Sequence, residues 1–150
     1  LILYFWVVSQ TIQSILLIDD DLDDQLLFEE ALLDAGTATV YLSAADGEDA
    51  LNKLNSGALS IPSLIFLDVN MPRMNGIDCL RALQKSDKLN GIPVLMYSTS
   101  CSMEYQNQCF DIGAIGYMEK PNDYRELCSK LALVLREGLY DRTNNIPLTL

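Results

Sequence analysis

At 150 residues, with 49% hydrophobic and 21% charged residues, the chain is long enough for one domain with a substantial core and too apolar for a disordered segment. A net charge of −11 opposes direct binding to nucleic-acid phosphates, and the absence of histidine removes imidazole metal sites and histidine acid–base chemistry. The four cysteines, Cys79, Cys101, Cys109 and Cys128, have neither CxxC spacing nor a dense framework and read as reduced thiols of a cytoplasmic protein.

The chain opens on eight apolar residues, Leu1 to Val8. That is well short of the roughly 20 needed to span a bilayer, and no basic residue or small-residue cleavage pattern marks a signal peptide. Residues 1–13 are read as an N-terminal extension of unknown role, an added strand and a hydrophobic docking arm being two readings that the sequence does not decide between. Ile15-Leu16-Leu17-Ile18 is a fully apolar strand that stops at Asp19-Asp20-Asp21. A helix follows, with Leu22, Leu26, Leu27, Ala31 and Leu33/Ala35 recurring at helical spacing and Gly36 in the capping position. The acids at its start favour a helix N-terminus.

Thr39–Ala44 is rich in β-formers and reads as a second strand; Glu48–Leu54 is a short helix. Leu64-Ile65-Phe66-Leu67 is a continuous apolar run ending abruptly at Asp68, as a buried parallel strand would. Gly76–Gln84 is a helix with Ile77, Leu80 and Leu83 on one face, and Ser86–Gly91 a polar loop. Ile92–Tyr97 is a fourth strand, followed by Ser98-Thr99-Ser100. Ser102–Ile112 is a weak helix whose main large apolar residues are Met103, Phe110 and Ile112. Tyr117-Met118-Glu119 is a short fifth strand running into Lys120-Pro121. The last helix carries Tyr124, Leu127, Cys128, Leu131, Val134 and Leu135 at clear helical spacing, with Leu133 off the stripe as an exposed contact. Asp141–Leu150 reads as a loose tail.

Alternation of five strands with five helices predicts a doubly wound parallel α/β sheet with helices on both faces. Such a sheet brings the C-terminal ends of its strands to one edge, where ligand sites form. Asp19 and Asp20, Asp68, Ser98 and Lys120 all fall at such ends. Each is a weak signal alone; four polar positions at four strand ends are not. Like-charged carboxylates held together raise one another's pKa unless a cation intervenes. Lys120 and a divalent ion are the two remedies, and hard oxygen donors suit Mg²⁺, with Mn²⁺ able to substitute. Asp20 and Asp68 are the expected direct ligands, together with the backbone carbonyl of Asn70; Asp19 acts directly or through water. Asp68 could then act as a nucleophile toward phosphorus, with Lys120 and the Ser98 hydroxyl as further donors to the transferring oxygens.

The runs Leu16-Leu17-Ile18-Asp19-Asp20, Leu67-Asp68-Val69-Asn70-Met71-Pro72-Arg73-Met74-Asn75-Gly76, Pro93–Ser98 and Gly113–Pro121 resemble a two-component response-regulator receiver domain of the chemotaxis-regulator-like type, over Ser14 to about Glu137. The resemblance implies a five-stranded, flavodoxin-like sheet of order 2-1-3-4-5. It implies Asp68 as phosphoacceptor, Asp19 and Asp20 as the acidic pair, Lys120 as the conserved-type lysine, and Ser98 and Tyr117 as the switch residues. Ser98 stands where Thr is commoner and Asn75 where Asp is common. The implied partners are a sensor histidine kinase or phosphotransfer protein upstream and a protein target downstream. The surface of the fourth helix, fifth strand and fifth helix is the implied signalling face, and a homodimer would use it too. The expected division is an extension at 1–13, a receiver at 14–137 and a tail at 138–150. About thirteen residues beyond Glu137 are too few for a DNA-binding module, so the expectation is a stand-alone signalling domain, not an enzyme beyond its own phosphoryl transfer and dephosphorylation.

Three other readings compete: a receiver fragment of a larger regulator, a strand-end aspartate phosphatase and a flavodoxin-like cofactor binder. The phosphatase would want an acid two residues after the nucleophile, where this chain has Asn70. The cofactor binder would want a phosphate-cradling loop after strand one, where this chain has three aspartates.

Overall fold

The computed structural model describes residues 11–99, 102–137 and 148–149. Residues 1–10, most of the presumed extension, and Cys101 lie outside them. The elements run β1 Ser14–Ile18, α1 Leu22–Asp34, β2 Val40–Ala44, α2 Gly47–Ser56, β3 Leu64–Leu67, α3 Gly76–Lys85, β4 Val94–Ser98, α4 Met103–Ile112, β5 Gly116–Glu119, α5 Tyr124–Glu137 and β6 Leu148–Thr149. The first five strands pair in parallel in the order β2-β1-β3-β4-β5, as expected. The loose-tail reading is corrected at two residues: β6 pairs in parallel with the outer edge of β5, Leu148 against Gly116 and Thr149 against Tyr117. Ile12 and Gln13 precede β1 yet join the fold. Ile12 is buried, and the Gln13 carbonyl accepts from Val40 N–H at 2.8 Å.

Strand side chains alternate between two cores, because successive residues point to opposite faces of a sheet. Leu16, Ile18, Ile65, Leu67, Met96 and Tyr117 face α2, α3 and α4. Ile15, Leu17, Leu64, Phe66, Tyr97 and Met118 face α1 and α5. β1, β3 and β4 are covered on both sides, which is why their sequences are continuous apolar runs rather than alternating ones.

Of the apolar stripe expected on α1, only Ala31 is fully buried. Phe28, Ala31 and Leu32 are buried, whereas Leu22, Leu26 and Leu33 are 70%, 64% and 73% exposed. The helix has apolar residues on most of its circumference, so spacing alone does not select a face; the fit of Phe28 against Phe66 and Tyr97 does, with ring centroids 4.9 and 5.6 Å apart. Met103 of α4 is likewise exposed, leaving Gln106 and Cys109 as that helix's buried residues. Leu133 of α5, expected as an exposed contact, is half-buried.

β4 runs from Val94 through Ser98 rather than from Ile92. The Ile92 N–H is spent on a turn to Leu89, and Pro93 has none to donate. The loop read as polar hides Leu89, which is fully buried. Among the described residues no helix is long and apolar enough to cross a membrane.

Candidate functional site: an acidic pocket at the strand ends

Backbone hydrogen bonds of the sheet extend one residue past the strands and so fix the site. Asp68 N–H donates to Ile18 O at 3.0 Å, Asp19 N–H to Ala44 O at 3.2 Å, and Lys120 N–H to Ser98 O at 2.9 Å. Residues separated by up to about a hundred positions are thereby placed together with little freedom left to lose.

The three consecutive aspartates divide into three tasks. Asp19 is fully buried, and its Oδ1 accepts from Asp21 N–H at 2.9 Å. Asp20 is exposed. Asp21 caps α1, accepting from the Asp23 and Asp24 amides. Carboxylate oxygens of Asp19, Asp20 and Asp68 lie within 4.8 Å of one another, the first and last buried and the middle one open to solvent. Asp68 Oδ1 accepts a long hydrogen bond from Asn70 N–H, 3.4 Å.

Lys120 is the counter-charge. Its Nζ lies 2.7 Å from Asp19 Oδ2, 2.8 Å from Asp24 Oδ2 and 3.4 Å from Asp68 Oδ2. The Tyr97 ring sits alongside, 5.3 Å from Nζ to the ring centroid. Burial disfavours the ammonium, but the hydrogen-bonded carboxylates of Asp19 and Asp24 outweigh it and raise the Lys120 pKa. Burial pushes Asp68 up to about 6, opposed by Lys120 and reinforced by the neighbouring Asp19 charge. Burial also raises Asp19, against the hydrogen bond from Lys120. The pocket thus gathers more negative charge than its one ammonium balances, and an open carboxylate at its mouth gives a hard cation somewhere to bind. Three closely spaced oxygen ligands with access to water fit Mg²⁺, which keeps several waters.

The loop after Asp68 is held tightly. Gly76 N–H donates to Val69 O at 2.8 Å. A side chain at Gly76 would collide with the Asp68 carbonyl oxygen and come to 2.7 Å from Val69 Cα, so only glycine lets the helix start press against the acceptor strand. Asn75 caps α3, accepting from Asp78 N–H at 2.9 Å; asparagine serves as well as aspartate there. Arg73 takes a left-handed conformation, φ 65°, and its guanidinium meets the nearly buried Asp46, cap of α2, at 2.8 Å.

Ser98 and Tyr117 are both fully buried. In the β4–β5 register Met96 faces Tyr117 and Ser98 faces Glu119, so both lie on the sheet face covered by α2, α3 and α4. Sequence reasoning brought Asp19, Asp20, Asp68, Ser98 and Lys120 to one edge, and they are there. It missed Asp24, Tyr97 and the Arg73–Asp46 pair. Asp24 had a signal: it stands four residues before Phe28, on the inward face of α1, a face concealed by choosing the leucine stripe. The described cysteines, Cys79, Cys109 and Cys128, are free thiols.

The sheet order and the acidic pocket with its lysine at the strand ends define a flavodoxin-like fold with a ligand site at the C-terminal edge of the sheet. Residues 15–132 match the family model of the response regulator receiver domain, and the chain belongs to that family. It is 32% identical over 131 residues to the chemotaxis protein CheY of Pseudomonas aeruginosa, covering 87% of this chain and 98% of that one. It is 35% identical over 125 residues to the transcriptional regulatory protein CpxR of Escherichia coli K12, covering 83% of this chain and 50% of that one. The chain spans about half the length of the first curated relatives it matches. Among solved structures, the chemotaxis response regulator CheY4 of Vibrio cholerae superposes with a TM-score of 0.69 at 31% identity, over 83% of this chain and all of that one.

Proposed function

We propose that the unit spanning residues 14–137 accepts a phosphoryl group on Asp68 from a phosphohistidine of a sensor histidine kinase or phosphotransfer protein, in the cytoplasm, and signals by binding a protein target. The observation that carries this is the placing of a buried carboxylate, Asp68, within 4.8 Å of two further carboxylates and 3.4 Å from a lysine ammonium. An Asp68 oxygen attacks phosphorus, the phosphorus–nitrogen bond to imidazole breaks, and the leaving nitrogen keeps the electron pair; an acyl phosphate is left on Asp68. Lys120 and the Ser98 hydroxyl are positioned at the strand ends to donate to phosphoryl oxygens, where preorganised donors act most strongly. Asp19, Asp20, Asp68 and the Asn70 carbonyl are the proposed holders of Mg²⁺, or Mn²⁺, which when bound neutralises charge on the transferring oxygens.

One relative is matched over nearly its whole length and others over only about half of theirs, so the output is proposed for the receiver unit itself. The face of α4, β5 and α5 is the proposed docking surface for a target or a second copy. Met103 and Tyr105 of α4 are exposed. With acetyl phosphate and Mg²⁺, intact mass should reveal one labile phosphoryl adduct, absent in Asp68→Asn and strongly reduced in Asp20→Ala. An adduct that survives Asp68→Asn contradicts the proposal.

A further inference from the structure

We propose that Asp24 is a positioning residue that holds the Lys120 ammonium away from Asp68 until a phosphoryl group arrives, and is then the partner released. The inference rests on the reading of Asp68 as phosphoacceptor and adds a residue outside the strand-end set. A lysine ammonium has three N–H donors and no more. Here they face three carboxylates, and the contact to Asp68 is the long one, 3.4 Å against 2.7 and 2.8 Å to Asp19 and Asp24. A phosphoryl group turns the Asp68 carboxylate into a neutral acyl carbonyl and puts the negative charge farther out, on the phosphoryl oxygens; an ammonium that moves to meet them must loosen its short bond to Asp19 or to Asp24.

The three carboxylates differ in what release would involve. The Asp19 side chain is 0% exposed and that of Asp68 8%. Asp68 gives up its carboxylate charge on phosphorylation, so the choice lies between Asp19 and Asp24, and stranding Asp19 without its cation would leave a buried, unpaired charge. The Asp24 side chain is 34% exposed. It borders a pocket of about 110 Å³ that it shares with Leu27, Tyr97, Lys120 and Tyr124. It can turn into water and keep its solvation. Asp24 therefore competes with the phosphoryl group for Lys120, and removing its charge favours the phosphorylated form.

Three variants of the whole chain test this: Asp24→Asn, Asp24→Glu and, as a control, Asp23→Asn, which removes the same charge from the exposed side of the same helical turn. Each is titrated with beryllofluoride in the presence of Mg²⁺ and followed by NMR, and each is phosphorylated with acetyl phosphate and followed by intact mass. Asp24→Asn should lower the half-saturating beryllofluoride concentration by about two- to tenfold, in keeping with a partly exposed charge-assisted bond, and should speed adduct formation to a similar degree. Asp24→Glu should stay near the parent, and Asp23→Asn should shift less than twofold. In the parent, the Asp24 carboxyl ¹³C resonance should move toward that of a free carboxylate on saturation. An Asp24→Asn effect no larger than that of Asp23→Asn, or an unmoved Asp24 resonance, overturns the proposal while the phosphoacceptor reading stands. A parent protein that takes up no phosphoryl overturns both.

Discussion

Asp68 is caught between two demands. Burial makes its charged form unfavourable, yet its proposed chemistry needs that charge. Its folded-state pKa of about 6 stands above the ordinary carboxylate value of 3.8. For a carboxyl group raised in this way, the folded state holds its proton more tightly than the unfolded chain. The associated stability is complete below about pH 4 and is lost as pH rises through 6. In metal-free buffer near neutrality, Asp68→Asn should therefore stabilise the fold by about 1–3 kcal/mol. The gain should shrink as the pH approaches 4, as read from urea midpoints at several pH values with a chelator present. Adding Mg²⁺ should narrow the gap by stabilising the parent alone, since a ligand that binds only the folded state shifts the equilibrium toward it. An Asp68→Asn protein less stable than the parent at pH 7 without metal would contradict this account of the pocket.

Among the elements, α1 does two jobs on opposite sides. Its inward side seats Phe28 in an aromatic cluster with Phe66 and Tyr97, ring planes tilted 69° and 74° to the Phe28 ring. The Phe28 end of that side also leads to Asp24 and Lys120. Its outward side carries Leu22, Leu26 and Leu33 in solvent. The two sides should respond differently to substitution. Phe28→Ala should lose about 3–5 kcal/mol, through removed apolar surface and a cavity under the sheet. Leu26→Gln should change stability by less than about 0.5 kcal/mol, as surface substitutions usually do. Urea unfolding of the two variants beside the parent measures both. A large loss in Leu26→Gln would return the leucine stripe to the core. α4 buries only Gln106 and Cys109 fully, with Phe110 and Ile112 packed in part against the core, so this sparsely anchored helix should be easy to displace.

Across the whole molecule, a signal from Asp68 has a short route to the proposed docking face. β3 pairs with β4, β4 with β5, and β5 carries Tyr117 against the α4 side of the core. Ser98, at the end of β4, would donate to a phosphoryl oxygen, and the β4–β5 ladder with the α4 helix would respond. The response should appear as a shift of α4, against whose side of the core Tyr117 is buried. A ligand can move such an equilibrium only by favouring one of two states, typically by about 1–3 kcal/mol. With beryllofluoride, amide shifts should spread from Asp68 across residues 98–119 in the parent and contract in Ser98→Ala. Shifts confined to the Asp68 loop would mean that phosphorylation is read out along another path.

Strand positions, the parallel alternation and the convergence of Asp19, Asp20, Asp68, Ser98 and Lys120 were legible in the sequence by itself. Buried parallel strands leave continuous apolar runs, and a carboxylate ending such a run can lie only at the sheet's ligand edge. What only the tertiary structure decided are matters of facing and partnership. The leucines of α1 and the aromatic Phe28 compete for the same core, and volume fitted against Phe66 and Tyr97, not spacing, chose between them. Leu89 looked like part of a polar loop until the turn at Ser86 folded it inward. Leu148 and Thr149 became a strand only because β5 offered an unpaired edge. Asp24 took its place at Lys120 because α1 turns that side of its first turn toward the strand ends. Periodicity constrains a residue to a helix or strand, but a pairing 96 positions apart exists only once packing has set two elements against each other.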